Sequence, residues 1–380
     1  MLIPLKYNLR NLAVRRTATL LTAFGIAVSV AVFVAVMALV EGMDETFIAT
    51  GEPHNVIALR RGAVSETGSI IDISAPSVIR NLQGIEAISA ERLIYVNTPR
   101  LIGTGSSNVV IRGVGETGRA LRPQVRLVRG RWNRPGAREL TVSRSIAERF
   151  RDCNLGDDFR TGSATWKVVG LFDAGNTAYS SEMWSDAEDI ATVFDRRTWS
   201  DIVVRVSNTA SIAPLIAQME SDPRIDLDAR TEIAYFAEQT KAATPVRVLG
   251  NVIAFVMAVG SAFAAMNTMY AAVGSRTREI AVLRALGFSG RAVAVSFLSE
   301  AVLLSIIGGV IGGLVALPLN GLATGTTNWF TFSEMNFAFA ITPRLFARGI
   351  LFATLMGIVG GVLPAMRASR LSAASAMRAL

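Results

Sequence analysis

The residue types that most often carry covalent chemistry are sparse in this sequence. His54 is its one histidine and Cys153 its one cysteine, so a histidine metal site, a Ser-His-Asp arrangement or a Cys-x-x-Cys pair would have to rest on single residues. No carboxylate pattern neighbours His54, and Cys153 stands beside the turn-forming Asn154, Leu155 and Gly156, where a structural thiol is the default. The three lysines, Lys6, Lys167 and Lys241, do not follow a glycine-rich turn, and G-x-x-x-x-G-K-[ST] does not occur. These residues therefore hold no Walker A cradle for a nucleotide phosphate. The chain is expected to have no catalytic, cofactor-binding or metal-ligating residues and to be no enzyme by itself.

What the spacing does support is mechanical. Residues 275–290 read SRTREIAVLRALGFSG. Ile280 and Leu283 are three apart, and Arg276 and Glu279 can pair at the same spacing on another face. Gly287 is a natural C′ stop and Ser289 an N-cap for a following helix. This is a short amphipathic helix between two apolar runs. It can offer charge and an apolar ridge to a cytosolic protein, passing force to the runs at both its ends, or it can rest on anionic lipid. Periodicity alone leaves both open.

The elements that would position it are membrane spans. The chain of 380 residues is 51% hydrophobic and only 18% charged, with a mean hydropathy of +0.40, which is too apolar for an ordinary soluble domain. Its net charge of +8 comes almost wholly from scattered arginines, without the aromatic-laced basic patch of a nucleic-acid binder. Residues 18–40 are uncharged and, as a helix, cross a hydrocarbon core of about 30 Å. The run is longer than a signal-peptide core, and no A-x-A cleavage pattern follows it. Three more runs, 248–273, 293–322 and 349–366, lie towards the C-terminus. The expected fold is an α-helical membrane protein of four transmembrane helices, with a large α+β extracytoplasmic domain (41–247) between the first and second.

That domain shows strand-like runs at 109–114, 140–143, 166–172 and 202–206, helix-like stretches at 143–150, 186–194 and 212–220, and turn signals at 133–136 and 154–157. It reads as one or two small domains. Basic residues flank the spans at Lys6, Arg10, Arg15 and Arg16, at Arg276, Arg278, Arg284 and Arg291, and at Arg367, Arg370 and Arg378. By the positive-inside rule these place segments 1–17, 274–292 and 367–380 in the cytoplasm, with both termini inside and 323–348 an outer loop. Lys241, Arg247, Arg344 and Arg348 run against this count without reversing it.

Small residues recur every four positions at Ala23, Ala27, Ala31 and Ala35, at Gly308 and Gly312, at Gly309 and Gly313, and at Gly357 and Gly361. Such faces let helices approach closely in lipid, within one chain or between two. Glu300, the carboxylate inside an apolar run, demands a partner, with Arg291 or headgroup water in reach and a coupling role as the alternative. Asn267 could bond across helices.

Three stretches together resemble the MacB, FtsX and LolC/LolE superfamily of ABC permeases. SRTREIAVLRALG is similar to its coupling segment between the second and third spans, LRNLAVRRTATLLTAFGIAVSVAVFVAVMAL from Leu9 to its entry into the first, and GGVLPAMRASRLSAASAMRAL from Gly360 to its tail. RGRW at 129–132 and KVVGLF at 167–172 resemble its outer domain less specifically, and 51–107 shows no family pattern. The resemblance implies a permease subunit in a bacterial inner membrane that exports or extracts a hydrophobic or amphiphilic cargo such as a lipoprotein, lipid, peptide or drug. Its implied partners are a cytosolic ABC ATPase in two copies carrying the ATP and Mg, a second permease copy or homologue, the lipid bilayer and, in a two-membrane organism, a periplasmic adaptor; no nucleic acid is expected. It assigns Arg276, Thr277, Arg278, Glu279, Ile280, Leu283, Arg284 and Gly287 to ATPase coupling. The missing Walker A departs from MacB, where ATPase and permease are fused, and implies an ATPase on a separate chain. The alternative is an FtsX-like regulator of an extracytoplasmic cell-wall hydrolase.

Overall fold

A computed structural model of the chain describes residues 16–327 and 334–371. In chain order they form α1 (Arg16–Ile48), β1 (Asn55–Arg60), α2 (Ala75–Arg80), β2 (Ile85–Pro99), β3 (Ser106–Gly113), α3 (Glu116–Ala120), β4 (Arg126–Gly130), β5 (Glu139–Ser143), α4 (Arg144–Arg149), β6 (Asp158–Thr161), β7 (Ala164–Asp173) and β8 (Glu182–Ser185). Then come α5 (Ala187–Phe194), β9 (Asp201–Val206), α6 (Ile212–Ser221), β10 (Leu227–Thr231), α7 (Glu232–Gln239), α8 (Thr244–Ser275), α9 (Thr277–Ala285), α10 (Gly290–Ala316), β11 (Ala323–Thr327), β12 (Glu334–Ala338) and α11 (Pro343–Arg370). Contacts divide the chain into a helical unit, through Glu41 with Pro245–Leu322 and from Phe339 on, and an α/β unit, Gly42–Thr244 with Ala323–Ala338.

In the helical unit α1, α8, α10 and α11 are each long and apolar enough to cross a membrane. Glycine lets them meet backbone to backbone. A Cβ on Gly308 would stand 2.9 Å from the Ala23 carbonyl, and one on Gly312 would press still closer on that of Ala27. Gly357 and Gly361 face Ser305 and Ala301 of α10 in the same way, and Gly309 and Gly313 face Ala353 and Phe346 of α11. The glycine ladders, and Ala23 and Ala27 with them, are therefore filled within one chain. Ala31 and Ala35 are half-buried. Polar groups join α1 to α8 where the sequence pointed only to Asn267: Ser29 and Ser261 hydroxyls lie 2.5 Å apart, and Thr22 donates to Thr268 at 2.9 Å. Asn267 itself is exposed. In its most apolar window α8 buries 22%, half the 44% of α1 and α11.

Several helices outrun their apolar cores. α1 continues past Val40 to Ile48 because Met43 and Phe47 extend its buried stripe and Thr46 bonds back to the Gly42 carbonyl at 2.8 Å. α11 begins at Pro343, upstream of the expected 349. Thr342 caps it by accepting from Leu345 N–H at 3.1 Å, and Pro343 falls where a missing N–H costs nothing.

The α/β unit is built on a ten-stranded sheet ordered β10-β1-β9-β2-β3-β8-β5-β7-β4, with β6 on β7. The fifteen-residue β2 ties its halves together, pairing with β9 through residues 85–91 and with β3 through 92–99. One core lies where Val56, Ile202, Val204 and Leu227 meet Ile79, Leu215 and Met219 of α2 and α6. The other gathers Ile111, Leu140, Val142, Trp166, Val168 and Met183 under Ile146 and Ile190 of α4 and α5. Ser143, Asp186 and Thr231 cap α4, α5 and α7 through their side chains. Two strand-helix cores on one sheet replace the choice between one domain and two. Residues 323–327 and 334–338, expected as loop, instead form a β-hairpin within this unit.

Candidate coupling site

A single residue separates α8 from α9. Arg276 leaves the helical region (φ −110°, ψ 16°), and its side chain turns inward, 6% exposed. There Nη1 donates to Glu300 Oε2 of α10 at 2.8 Å, and the guanidinium lies 5.8 Å from the Phe297 ring centre. Glu300 is thus partnered by Arg276, which corrects the expectation of Arg291 or headgroup water. Arg291 is nine residues away on the same helix, about 13 Å along the axis. The anticipated Arg276–Glu279 pair is a looser contact at 3.8 Å.

On the inner side of α9, where Ala281 is also buried, Ile280 packs with Met269, Val273, Val293, Phe297, Ala365 and Ala368, taken from three spans. On the outer side Arg278, Glu279, Val282 and Leu286 are exposed, and Ser275, Arg278, Glu279, Val282 and Leu283 line an open groove of about 530 Å³. Thr277 donates to the Gly274 carbonyl at 2.8 Å, and Arg284 Nη1 to that of Phe288 at 3.1 Å. A Schellman stop ends the helix: Phe288 N–H reaches Leu283 O at 3.1 Å and Gly287 N–H reaches Arg284 O at 3.2 Å, with Gly287 at φ 95°. Ser289 then accepts from Ala292 N–H at 3.2 Å and starts α10. Of the eight residues singled out from the sequence, Arg276 and Ile280 anchor, Thr277, Leu283 and Arg284 are half-buried, Arg278 and Glu279 face outward, and Gly287 sets the exit.

Sequence reasoning missed a second concentration of charge, in the α/β unit where β2 passes between the cores. Arg112 of β3 spreads its five N–H groups over Glu182 (2.7 and 2.8 Å), Glu66 (3.0 and 3.3 Å) and Glu91 (2.8 Å), and Arg122 grips Glu91 at 2.6 and 2.8 Å. Burial alone would raise Glu91, but Arg122 and Arg112 hold its carboxyl below the usual range. Burial and the neighbouring Glu91 and Glu66 push Asp201 well above it. Asp201 is fully buried and 3.8 Å from Arg112, beyond hydrogen-bond reach. Cys153 is likewise buried, its thiol pushed up to about 12 by burial and then by Asp152 and Asp157, which leaves little thiolate for chemistry. His54 is exposed.

Four spans with an α/β unit inserted after the first, and an amphipathic helix between the second and third, define an ABC transporter permease. Residues 19–222 match the MacB-like periplasmic core domain and residues 251–373 the FtsX-like permease C-terminal domain. The chain belongs to this MacB-like, FtsX-like family. It is 24% identical over 95% of its length to the macrolide export ATP-binding/permease protein MacB of Hahella chejuensis, of which it spans 58%. It is 24% identical over its whole length to the ABC transporter permease YvrN of Bacillus subtilis, which it covers completely. The periplasmic region of MacB from Actinobacillus actinomycetemcomitans overlies 49% of the chain at 14% identity, with 92% of that region covered and a TM-score of 0.39.

Proposed function

We propose that this chain is the permease of an ATP-driven exporter and that α9 couples hydrolysis by an ABC ATPase to movement of the α/β unit. The observation that carries this reading is the division of α9. Its outer face offers paired charge and apolar Val282 and Leu286 to a protein groove, while its inner face is locked to three spans by Ile280 and the Arg276–Glu300 pair. A helix lying loosely on lipid would need no such inward anchor. ATP and Mg reside on the ATPase, which works as two copies against this chain and a second permease. The outward apolar face of α8, with Val248, Val252, Phe255, Val259 and Phe263 exposed, meets lipid or that second copy.

The basic flanks support a topology with α9 and both termini in the cytoplasm and the α/β unit outside the inner membrane, where a periplasmic adaptor would have access to it. The cargo is hydrophobic or amphiphilic, in keeping with relatives named for macrolide and pyoverdine export. Co-purification of the tagged chain with its ATPase is the test. Arg278→Glu and Glu279→Arg should each abolish association and stimulated hydrolysis while the chain stays folded. Unchanged binding and hydrolysis in both would overturn the assignment.

A further inference from the structure

The hairpin β11–β12 joins two spans, yet its strands belong to the α/β unit. They pair from Ala323↔Ala338 to Thr327↔Glu334. The residues that flank it in the chain pair with each other inside the helical unit. Gly321 N–H donates to Phe339 O at 2.9 Å and Phe339 N–H to Leu322 O at 3.1 Å, while Ile341 N–H reaches Asn320 Oδ1 at 2.8 Å. α1 secures the same base. Ala340 N–H donates to Ala38 O at 3.1 Å, and Glu41 accepts from Thr342 at 2.9 Å and Arg348 at 3.0 Å.

The far end is held as firmly. The Glu334 side chain is wholly buried and accepts from Arg100 Nη2 at 2.7 Å, at the end of β2, and from Arg149 at the end of α4. Asn336 N–H donates to Ser181 Oγ at 2.7 Å, and Met335 and Phe337 are buried on either side of it. Withdrawing the strand would pull the buried Glu334 carboxylate off both arginines and leave all three charges unpaired, so the grip cannot slip gradually. Beside it lies a cavity of about 90 Å³ with Glu334, Met335, Phe47, Tyr235 and Phe236 among its lining residues. Phe47 is on α1, and Tyr235 and Phe236 are on α7, which leads through residues 240–243 into α8. Segments continuous with α1, α8 and α11 thus border one small cavity, which leaves their side chains room to rearrange there.

We propose that β11–β12 is a strut that carries movement of α10 and α11 into the α/β unit, with Glu334 as its positioning residue. This rests on the coupling reading above, since α10 begins directly at the exit of α9. The chain, reconstituted in liposomes with its co-purified ATPase, is compared with and without ATP by amide hydrogen exchange over residues 85–113 and 139–150. Two variants are used: Glu334→Ala, and a slack variant carrying about six Gly/Ser residues after Leu322 and again after Ala338, which loosens the strut and leaves the clamp intact. Both should lose the ATP-dependent exchange difference while ATPase binding and hydrolysis stay at the wild-type level, a result that a merely structural role would not produce. If Glu334→Ala lowers the unfolding temperature of the α/β unit, the slack variant alone decides. Retention of the difference in the slack variant overturns the strut and leaves coupling intact. Absence of any difference in the wild-type complex overturns coupling, and the strut with it.

Discussion

The helical unit and the α/β unit bury charge in opposite ways. In the helical unit, Arg276 meets Glu300 at 2.8 Å beneath α9, with exposed Glu279 a looser contact at 3.8 Å, set among helices that approach through glycine and alanine. The α/β unit instead gathers Glu66, Glu91, Glu182 and Asp201 around Arg112 and Arg122, beside the clustered rings of Trp132, Phe172, Tyr179 and Trp184. A closed pair can be exchanged as a unit for apolar side chains, whereas an interlocked cluster with more acids than bases cannot, because Arg112 serves several carboxylates and shares Glu91 with Arg122.

That contrast can be broken most sharply at the arginines. Arg112→Met should cost about 3–5 kcal/mol of α/β-unit stability, since it strands buried carboxylates, and adding Glu91→Leu should not restore it because Glu66 and Glu182 remain unpaired. Arg276→Leu should cost a similar amount in the helical unit, but Arg276→Leu with Glu300→Leu should return close to wild type. Denaturant unfolding in detergent, followed separately in each unit, reads both. Full recovery in the Arg112 series, or none in the Arg276 series, would erase the distinction. The packing half of the contrast is weaker. Gly312→Leu should destabilise the helical unit by about 1–3 kcal/mol through forced separation of α10 from α1, leaving the unfolding of the α/β unit unchanged.

The smallest effect concerns Asp201. Its carboxyl titrates above the usual range when folded, so its contribution to stability is full below the unfolded value near 3.9 and is lost as pH rises through the folded one. Asp201→Asn removes that loss. Its unfolding temperature should exceed wild type at pH 8, and the gain should shrink on acidification to pH 4. An equal gain at both pH values would show that Asp201 does not titrate in this interval.

Much of the scaffold was legible in the residues themselves. Strands expected at 109–114, 140–143, 166–172 and 202–206 correspond to β3, β5, β7 and β9, because a run rich in strand-forming residues is a local property. The Gly287 stop and the Ser289 cap were equally readable. The hairpin of 323–338 was not, since its strands are short and one of them, ATGTT, carries almost no apolar signal. The charge cluster was hidden for a different reason: Glu66 and Asp201 are far apart in the chain and meet only because β2, β3, β8 and β9 are neighbours in the sheet.

By itself the sequence determined the four apolar runs, the amphipathic segment with its caps, the alternating texture of the inserted unit and the order of motifs that marks the family. Each depends on residues within a turn or two of one another, where spacing dictates which side chains share a face. Only the tertiary structure decided that Arg276 turns inward to Glu300, that the glycine ladders are filled within one chain, and that Glu334 is clamped between Arg100 and Arg149. Those outcomes depend on which distant elements pack together, and a buried charge takes whatever partner that packing brings within hydrogen-bond reach.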